Sequence, residues 1–423
     1  MQRRAYRRPP PWRGIWPLAL ALALACSTPA APAPAGQGAA GAAGAAAPVP
    51  AAAQPARQAS GSAGQGAATA SPGQQLLDDL VRRANAEGEV TVTILGSWDQ
   101  SLIPPLADAF KKRFGLTIDV QIATMAAAQH YPIAIAETRA GTPPTYDAVQ
   151  GDPTETAQLI GAGGIQPVEN WEALLAEVNP LVHSGKVRPE QISHGPATGR
   201  GFTYLGNVKQ VIYNTRLISE SELPRTHAEL ADPRYKDKFV QPPWTSHWAI
   251  APAVLDNLDR EQWLDTVRAA GKNGGAVLGE TPGAQRVALG QYAFLLGQDT
   301  NVRELRSKDP DVPIAARFMD DYNEYNAVYY AVRTGTRHPA AATLWVLWMT
   351  TPESEAIWQP VVHFAQRYGE SEVDQEHARL LREAGSKAVS WLENPRTIEL
   401  LEWYQTADGR QYLDKMQKAI KGE

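Results

Sequence analysis

The sequence predicts an α/β protein of two lobes, each a mixed sheet flanked by helices, with crossing strands joining the lobes. Three observations carry this expectation. A βαβ unit opens the folded part: residues 90–95 read as a strand, 101–114 as a helix, and Leu116, Ile118, Val120 and Ile122 alternate with Thr117, Asp119 and Gln121 as a second strand. The same strand, loop and helix order returns in the second half, where strand 238–241 precedes helix 260–270 and strand 291–296 follows the helix opened by Thr281-Pro282. Between the halves lies the β-branched and aromatic run 208–213, bounded by Gly206-Asn207 and Asn214-Thr215, which suits a buried strand leaving one lobe for the other. A chain of 423 residues exceeds one usual domain, and its 12 tryptophans are ample for two cores.

The amino-terminal segment precedes the fold. Residues 1–14 are rich in arginine (Arg3, Arg4, Arg7, Arg8, Arg13) and lead into an apolar run, 15–25, of signal-peptide length and too short to span a membrane as a mature helix. Cys26, the sole cysteine, follows Ala23-Leu24-Ala25 and resembles a bacterial lipobox, which makes it the expected lipidation site. A cut at the same A-x-A site, leaving a free thiol, is the alternative. One cysteine excludes an internal disulfide. Residues 26–73 are mostly Ala, Gly, Pro, Ser and Gln, with Arg57 as the one charge, Val49 as the one valine and no aromatic residue, a tether that cannot bury enough surface to order itself. The formal charge is −5; without the five leader arginines 35 basic residues face 45 acidic ones, about −10. That balance, with no basic cluster in the folded part, excludes nucleic acid as the partner.

Along the fold, helix 74–86 stops at Gly88, and helix 101–114 carries Leu102, Leu106, Phe110 and Phe114 on one stripe before Gly115 ends it. The loop Gly96-Ser97-Trp98-Asp99 falls at the carboxyl end of the first strand, where open α/β sheets bind ligands. Helix 125–139 is expected to be kinked or interrupted by Pro132. Strand 146–149 ends at Gly151-Asp152-Pro153, which starts another helix. Thr226 and Glu229, at capping-box spacing, predict a helix there. Strand 327–332 places Tyr329 and Tyr330 on opposite faces, as core and edge packing. Helix 340–349, a helix begun by Thr351-Pro352-Glu353, and amphipathic helices over 370–422 complete the chain.

Five segments in this order resemble bacterial extracellular solute-binding proteins of the type II group that takes ferric iron, thiamine or polyamines. They are Glu87-Gly88-Glu89-Val90-Thr91-Val92, Gly141-Thr142-Pro143-Pro144 up to Asp147, Val211-Ile212-Tyr213-Asn214-Thr215, Asp232 through Lys238, and His338-Pro339-Ala340-Ala341-Ala342 through Pro352-Glu353. The resemblance implies the two-lobed periplasmic-binding-protein type II fold, with lobe 1 over 74–203 plus 313–360 and lobe 2 over 204–312 plus 361–423. It implies a monomer tethered outside the cell that closes on a small polar solute and delivers it to an ABC permease. A ligand sensor for a membrane kinase, or an enzyme on the same fold, is the alternative.

Residues placed in the expected ligand cleft are Trp98, Asp99, Asp152, Trp244, Thr245, His247, Asp299 and Tyr322. Aromatic faces with carboxylates suit an organic cation; with amides and hydroxyls they suit a sugar-like or phosphorylated compound. Trp98 and Trp244 could equally pack a lobe, and Asp99 and Asp152 cap helices. Ferric members of the group carry a tyrosine pair where this chain has Gln298-Asp299, and an amide with a carboxylate replaces hard phenolate donors poorly. Iron is therefore demoted. No nucleophile elbow, H-E-x-x-H pair, P-loop or Cys/His cluster appears, so neither metal nor cofactor is expected and the chain reads as a binder.

Overall fold

The computed structural model describes residues 71–423; the leader, Cys26 and nearly all of the tether lie outside the described residues. Ten strands follow in chain order: β1 (Glu89–Ile94), β2 (Asp119–Thr124), β3 (Ala148–Gly151), β4 (Gly201–Asn214), β5 (Phe239–Gln241), β6 (Ala276–Val277), β7 (Phe294–Gln298), β8 (Ile314–Arg317), β9 (Asn323–Val332) and β10 (Ala388–Ser390). They pair as β2-β1-β3-β9-β4-β7-β5-β6, with β10 against β9 and β8 against β4. The first βαβ unit is parallel, Val92 pairing with Ile122, and β9 returns antiparallel beside β3.

β4 is the element on which both lobes hang. Its residues 201–208 pair antiparallel with β9, and residues 209–213 pair with β7 in the other sheet. The same strand edge that meets β9 meets β8 further on, so the β8–β9 link over 318–322 is a second crossing beside the first. A third passage runs from helix Pro352–Val362 to helix Glu372–Ala384, and Ala365 bridges Gly206 of β4 on the way. All 14 residues of β4 are buried, which explains why its apolar stretch was legible and its polar ends were not.

Lobe 1 packs helices Pro72–Glu87, Ile103–Phe114 and Pro339–Trp348 on one sheet face around Val92, Phe110, Trp345 and Trp348. Leu102, Leu106 and Phe110 are buried as their four-residue spacing requires. Lobe 2 buries Trp248, Trp263 and Phe294 and is closed by the tail helices Pro395–Tyr404 and Ala407–Ile420. Helix Ala407–Ile420 lies so close to helix Arg260–Asn273 that a Cβ on Gly271 would stand 2.3 Å from the Ala419 carbonyl oxygen. Only glycine admits that approach. Tyr330 falls in the first core and Tyr329 in the second, on opposite faces, but β9 is an interior strand and neither ring is at an edge.

Helix Ala127–Ala140 continues through Pro132, so the chain is not interrupted there. One local expectation fails. At Thr226 there is only a 3₁₀ turn, Ala228–Ala231, because the Glu229 carboxylate accepts from Arg225 N and the Asp321 carboxylate takes His227 N, leaving the capping box unmade. Among the described residues no helix is long and apolar enough to cross a membrane.

Candidate functional site: an acceptor-rich groove between the lobes

The site is assembled where β4 and β9 run side by side. Asn207 stands opposite Asn326 in the antiparallel register, so their side chains share a face, and the alternation of strands puts Lys209 and Glu324 on it too. Asn326 Nδ2 donates to Asp152 Oδ1 at 2.9 Å, tying the floor to the end of β3. Lys209 Nζ donates to Glu280 Oε1 at 2.9 Å and to Gln298 Oε1 at 3.2 Å. Trp244, half exposed on the rim, donates its indole N–H to Glu280 Oε2 at 2.8 Å. Glu324 accepts from Trp391 Nε1 at 2.8 Å and from Ser246 Oγ at 3.3 Å.

Three carboxyls, Asp152, Glu280 and Glu324, thus surround one ammonium group. Burial pushes the Asp152 carboxyl up, an effect that its bond from Asn326 and the nearby Lys209 only partly offset. Burial pushes Glu324 up in the same way, Lys209 again opposing. Glu155, in the first turn of the helix after β3, is pushed up to about 8 by burial and then by the Asp152 charge. For Glu280 burial also acts upward, but Lys209 and the Trp244 N–H outweigh it and hold the carboxyl below its usual range. Among the described residues nothing donates a hydrogen bond to the carbonyl oxygens of Asn207 and Asn326, although both side chains are buried. The floor is therefore rich in acceptors and short of positive charge.

Beside the floor a cavity of about 250 Å³ opens between the lobes. Tyr131, Ile135 and Glu155 line it from lobe 1; Ser246, Leu401 and Tyr404 line it from lobe 2. Among the described residues no hydrogen bond or ion pair joins the lobe 1 helices of this wall to the tail helices opposite.

The residues expected in the cleft divide sharply. Asp152 is on the floor, Trp244 on the rim, and Thr245 lines the cavity. His247 and Tyr322 lie beneath it: His247 Nε2 meets His227 Nε2 at 2.8 Å, Tyr322 stacks on His227 at 4.0 Å, and the Tyr322 hydroxyl donates to the His247 carbonyl. Burial, with the neighbouring His227 and Lys209, holds His247 well below the usual imidazole range. His227 is bonded to Asp321 at 2.8 Å, and among the described residues no hydroxyl or thiol hydrogen-bonds either ring.

Trp98, Asp99 and Asp299 stand away from the groove. Trp98 is 3 % exposed and stacks on Trp358 at 5.6 Å in the lobe 1 core, because helix Pro352–Val362 covers the loop after β1. Asp99 is exposed and accepts from Ser101 N at 2.8 Å, capping the short turn there. Asp299 is a tie: Oδ1 accepts from Val208 N at 3.0 Å, and Oδ2 meets Arg303 Nη2 at 2.9 Å and His377 Nδ1 at 2.7 Å. Burial would raise its pKa, but Arg303 and His377 prevail and hold the carboxyl well below the usual range.

Sequence reasoning missed Asn207, Lys209, Glu280, Glu324 and Asn326. The signal was available in β4 and β9, where polar side chains interrupt strands otherwise built of apolar residues. Among the described residues no group of three or more His, Cys, Asp or Glu side chains is arranged to hold a metal ion.

A family model for bacterial extracellular solute-binding proteins matches residues 105–361. Comparison with curated proteins gives no match. Among solved structures the chain is similar to iron-bound HitA from Pseudomonas aeruginosa, at 18 % identity and TM-score 0.55, covering 70 % of this chain and 99 % of that one. The ferric binding protein from Campylobacter jejuni gives TM-score 0.59 at 14 % identity, over 78 % of this chain and 99 % of that one. The spermidine/putrescine substrate-binding protein PotD from Streptococcus pneumoniae gives 0.53 at 14 %, over 79 % and 99 %. Likeness at such identities carries the fold and leaves the ligand open.

Proposed function

The chain belongs to the bacterial extracellular solute-binding protein family, and from that premise we propose that it is the substrate-binding component of an ABC importer and that its solute is an organic cation. The observation that carries the choice of ligand is the floor: Asp152, Glu280 and Glu324 against the single cation Lys209, with two buried amide oxygens unpaired. Ammonium N–H groups satisfy such acceptors and offset their charge; phosphate would add to it. A neutral sugar could bond the amides but would leave the charge uncompensated.

Ferric iron fits less well. The side chains at the position of the tyrosine pair in ferric members are engaged, Gln298 by Lys209 and Asp299 by Arg303 and His377. The groove tyrosines hold their protons tightly, Tyr131 because burial raises its pKa, and Tyr404 because burial does the same while its hydroxyl donates to the Ala249 carbonyl. The leader and Cys26 support export and a lipid anchor at the outer face of the cytoplasmic membrane, with residues 26–73 as the tether and a monomer as the working unit.

Calorimetric titration with putrescine, spermidine, glucose and phosphate tests this reading. An amine should bind, and Asp152→Asn should weaken it at least tenfold. Binding of phosphate or glucose with no heat from any amine would sink it.

A further inference from the structure

The cavity beside the floor differs from the floor in chemistry. Its apolar walls are Ile135 and Pro132 on one side and Leu401, Leu413 and the Tyr404 ring on the other, with the neutral polar side chains of Thr154, Gln158 and Gln405 among them. The Tyr404 hydroxyl is already spent on the Ala249 carbonyl at 2.7 Å, so what Tyr404 offers a guest is its face. The only carboxyl in the lining is Glu155, which burial and Asp152 keep protonated at neutral pH in the free protein. A second ammonium would gain little there.

Floor and cavity nonetheless adjoin through shared side chains. Trp391 and Ser246 line the cavity, and both donate to Glu324 on the floor. We propose that the cavity is a second subsite of the same groove and that the solute is a primary amine bearing one ring, its ammonium on the floor and its ring between Ile135 and Tyr404.

Size supports the choice. A dry cavity of about 150 Å³ holds a benzene ring, and the cavity here is about 250 Å³, enough for a ring and a short linker. A bare ion would leave the apolar walls without contacts, and the thin methylene chain of a linear diamine would fill less of the space than a ring. One wall comes from residues 391–413, beyond the stretch 105–361 that the family model matches.

The inference rests on the reading of the floor as a cation site, and the test separates the two. The full-length protein, freed of bound solute by unfolding and refolding, is titrated calorimetrically with phenethylamine, putrescine and benzyl alcohol. Phenethylamine should bind at least tenfold more tightly than either of the others. Leu413→Trp, which fills the cavity from lobe 2, should lower the phenethylamine affinity at least tenfold relative to that of putrescine. Gln158→Trp, which fills it from lobe 1, guards against one variant failing to fold, and melting curves check both. If putrescine binds as well as phenethylamine, or both fillers leave the ratio unchanged, the ring subsite is wrong and the cation site stands. If no amine binds, both fall.

Discussion

At the scale of single residues, Glu155 and Trp391 report on the groove. In the free protein Glu155 holds its proton up to about pH 8, through burial and the Asp152 charge. A cation on the floor favours the ionised form, so binding should release a proton, and affinity should rise with pH up to about 8 and level off above it. Titration calorimetry in buffers of differing ionisation enthalpy reads the proton directly; Glu155→Gln should abolish the release, and equal heats in all buffers would contradict it. Trp391 touches both floor and cavity, so Trp391→Phe should remove most of a solute-dependent fluorescence change, whereas Trp98→Phe should leave it intact. Asp152 was legible because Gly-Asp-Pro marks a strand end opening a helix. Lys209 and Glu324 were not, because a charged residue inside a strand reads as a solvated face until the partner that buries it is known. Trp98 misled for the complementary reason: its loop was placed correctly, but the covering helix lies about 260 residues further on.

Among the elements, β4 and the segments that brace it decide how the lobes relate. The Asp299 carboxylate joins three of them, accepting from the amide of Val208 where β4 changes sheets and holding Arg303 and His377. Its folded pKa lies below the unfolded value of about 3.9, so its stabilisation is present above that pH and is lost as the pH falls below it. Asp299→Asn should cost about 3 kcal/mol near neutrality and flatten the acid limb of the stability curve, as measured by urea unfolding between pH 3 and 7. An unchanged acid limb would show that the tie does not act through charge. The periodic elements, the first βαβ unit above all, were legible because one face of each is apolar and its ends carry glycine, proline or a capping residue. The failed helix at Thr226 was not, since its fate depends on Asp321, almost a hundred residues away.

For the whole molecule, two cores on one shared strand make the spacing of the lobes the natural coordinate of binding. Small-angle scattering should show the radius of gyration falling when a bound amine saturates the protein, and identical profiles with and without it would argue for a rigid groove. Two-lobed architecture was foreseeable from length and from the repeated order of strands and helices; the bracing of the third passage, where Ala365 bridges Gly206 of β4, was not, because nothing in the segment 363–371 is periodic. That passage has a consequence for traffic. With β4, the 318–322 link and this segment all gathered beside Val208, the molecule resembles a book bound along one spine, and its pages can part widely only at the margin away from the binding. The margin that parts is then the one lined by Glu155 and the tail helices, and a solute coming and going there would meet whatever unloads it on that side.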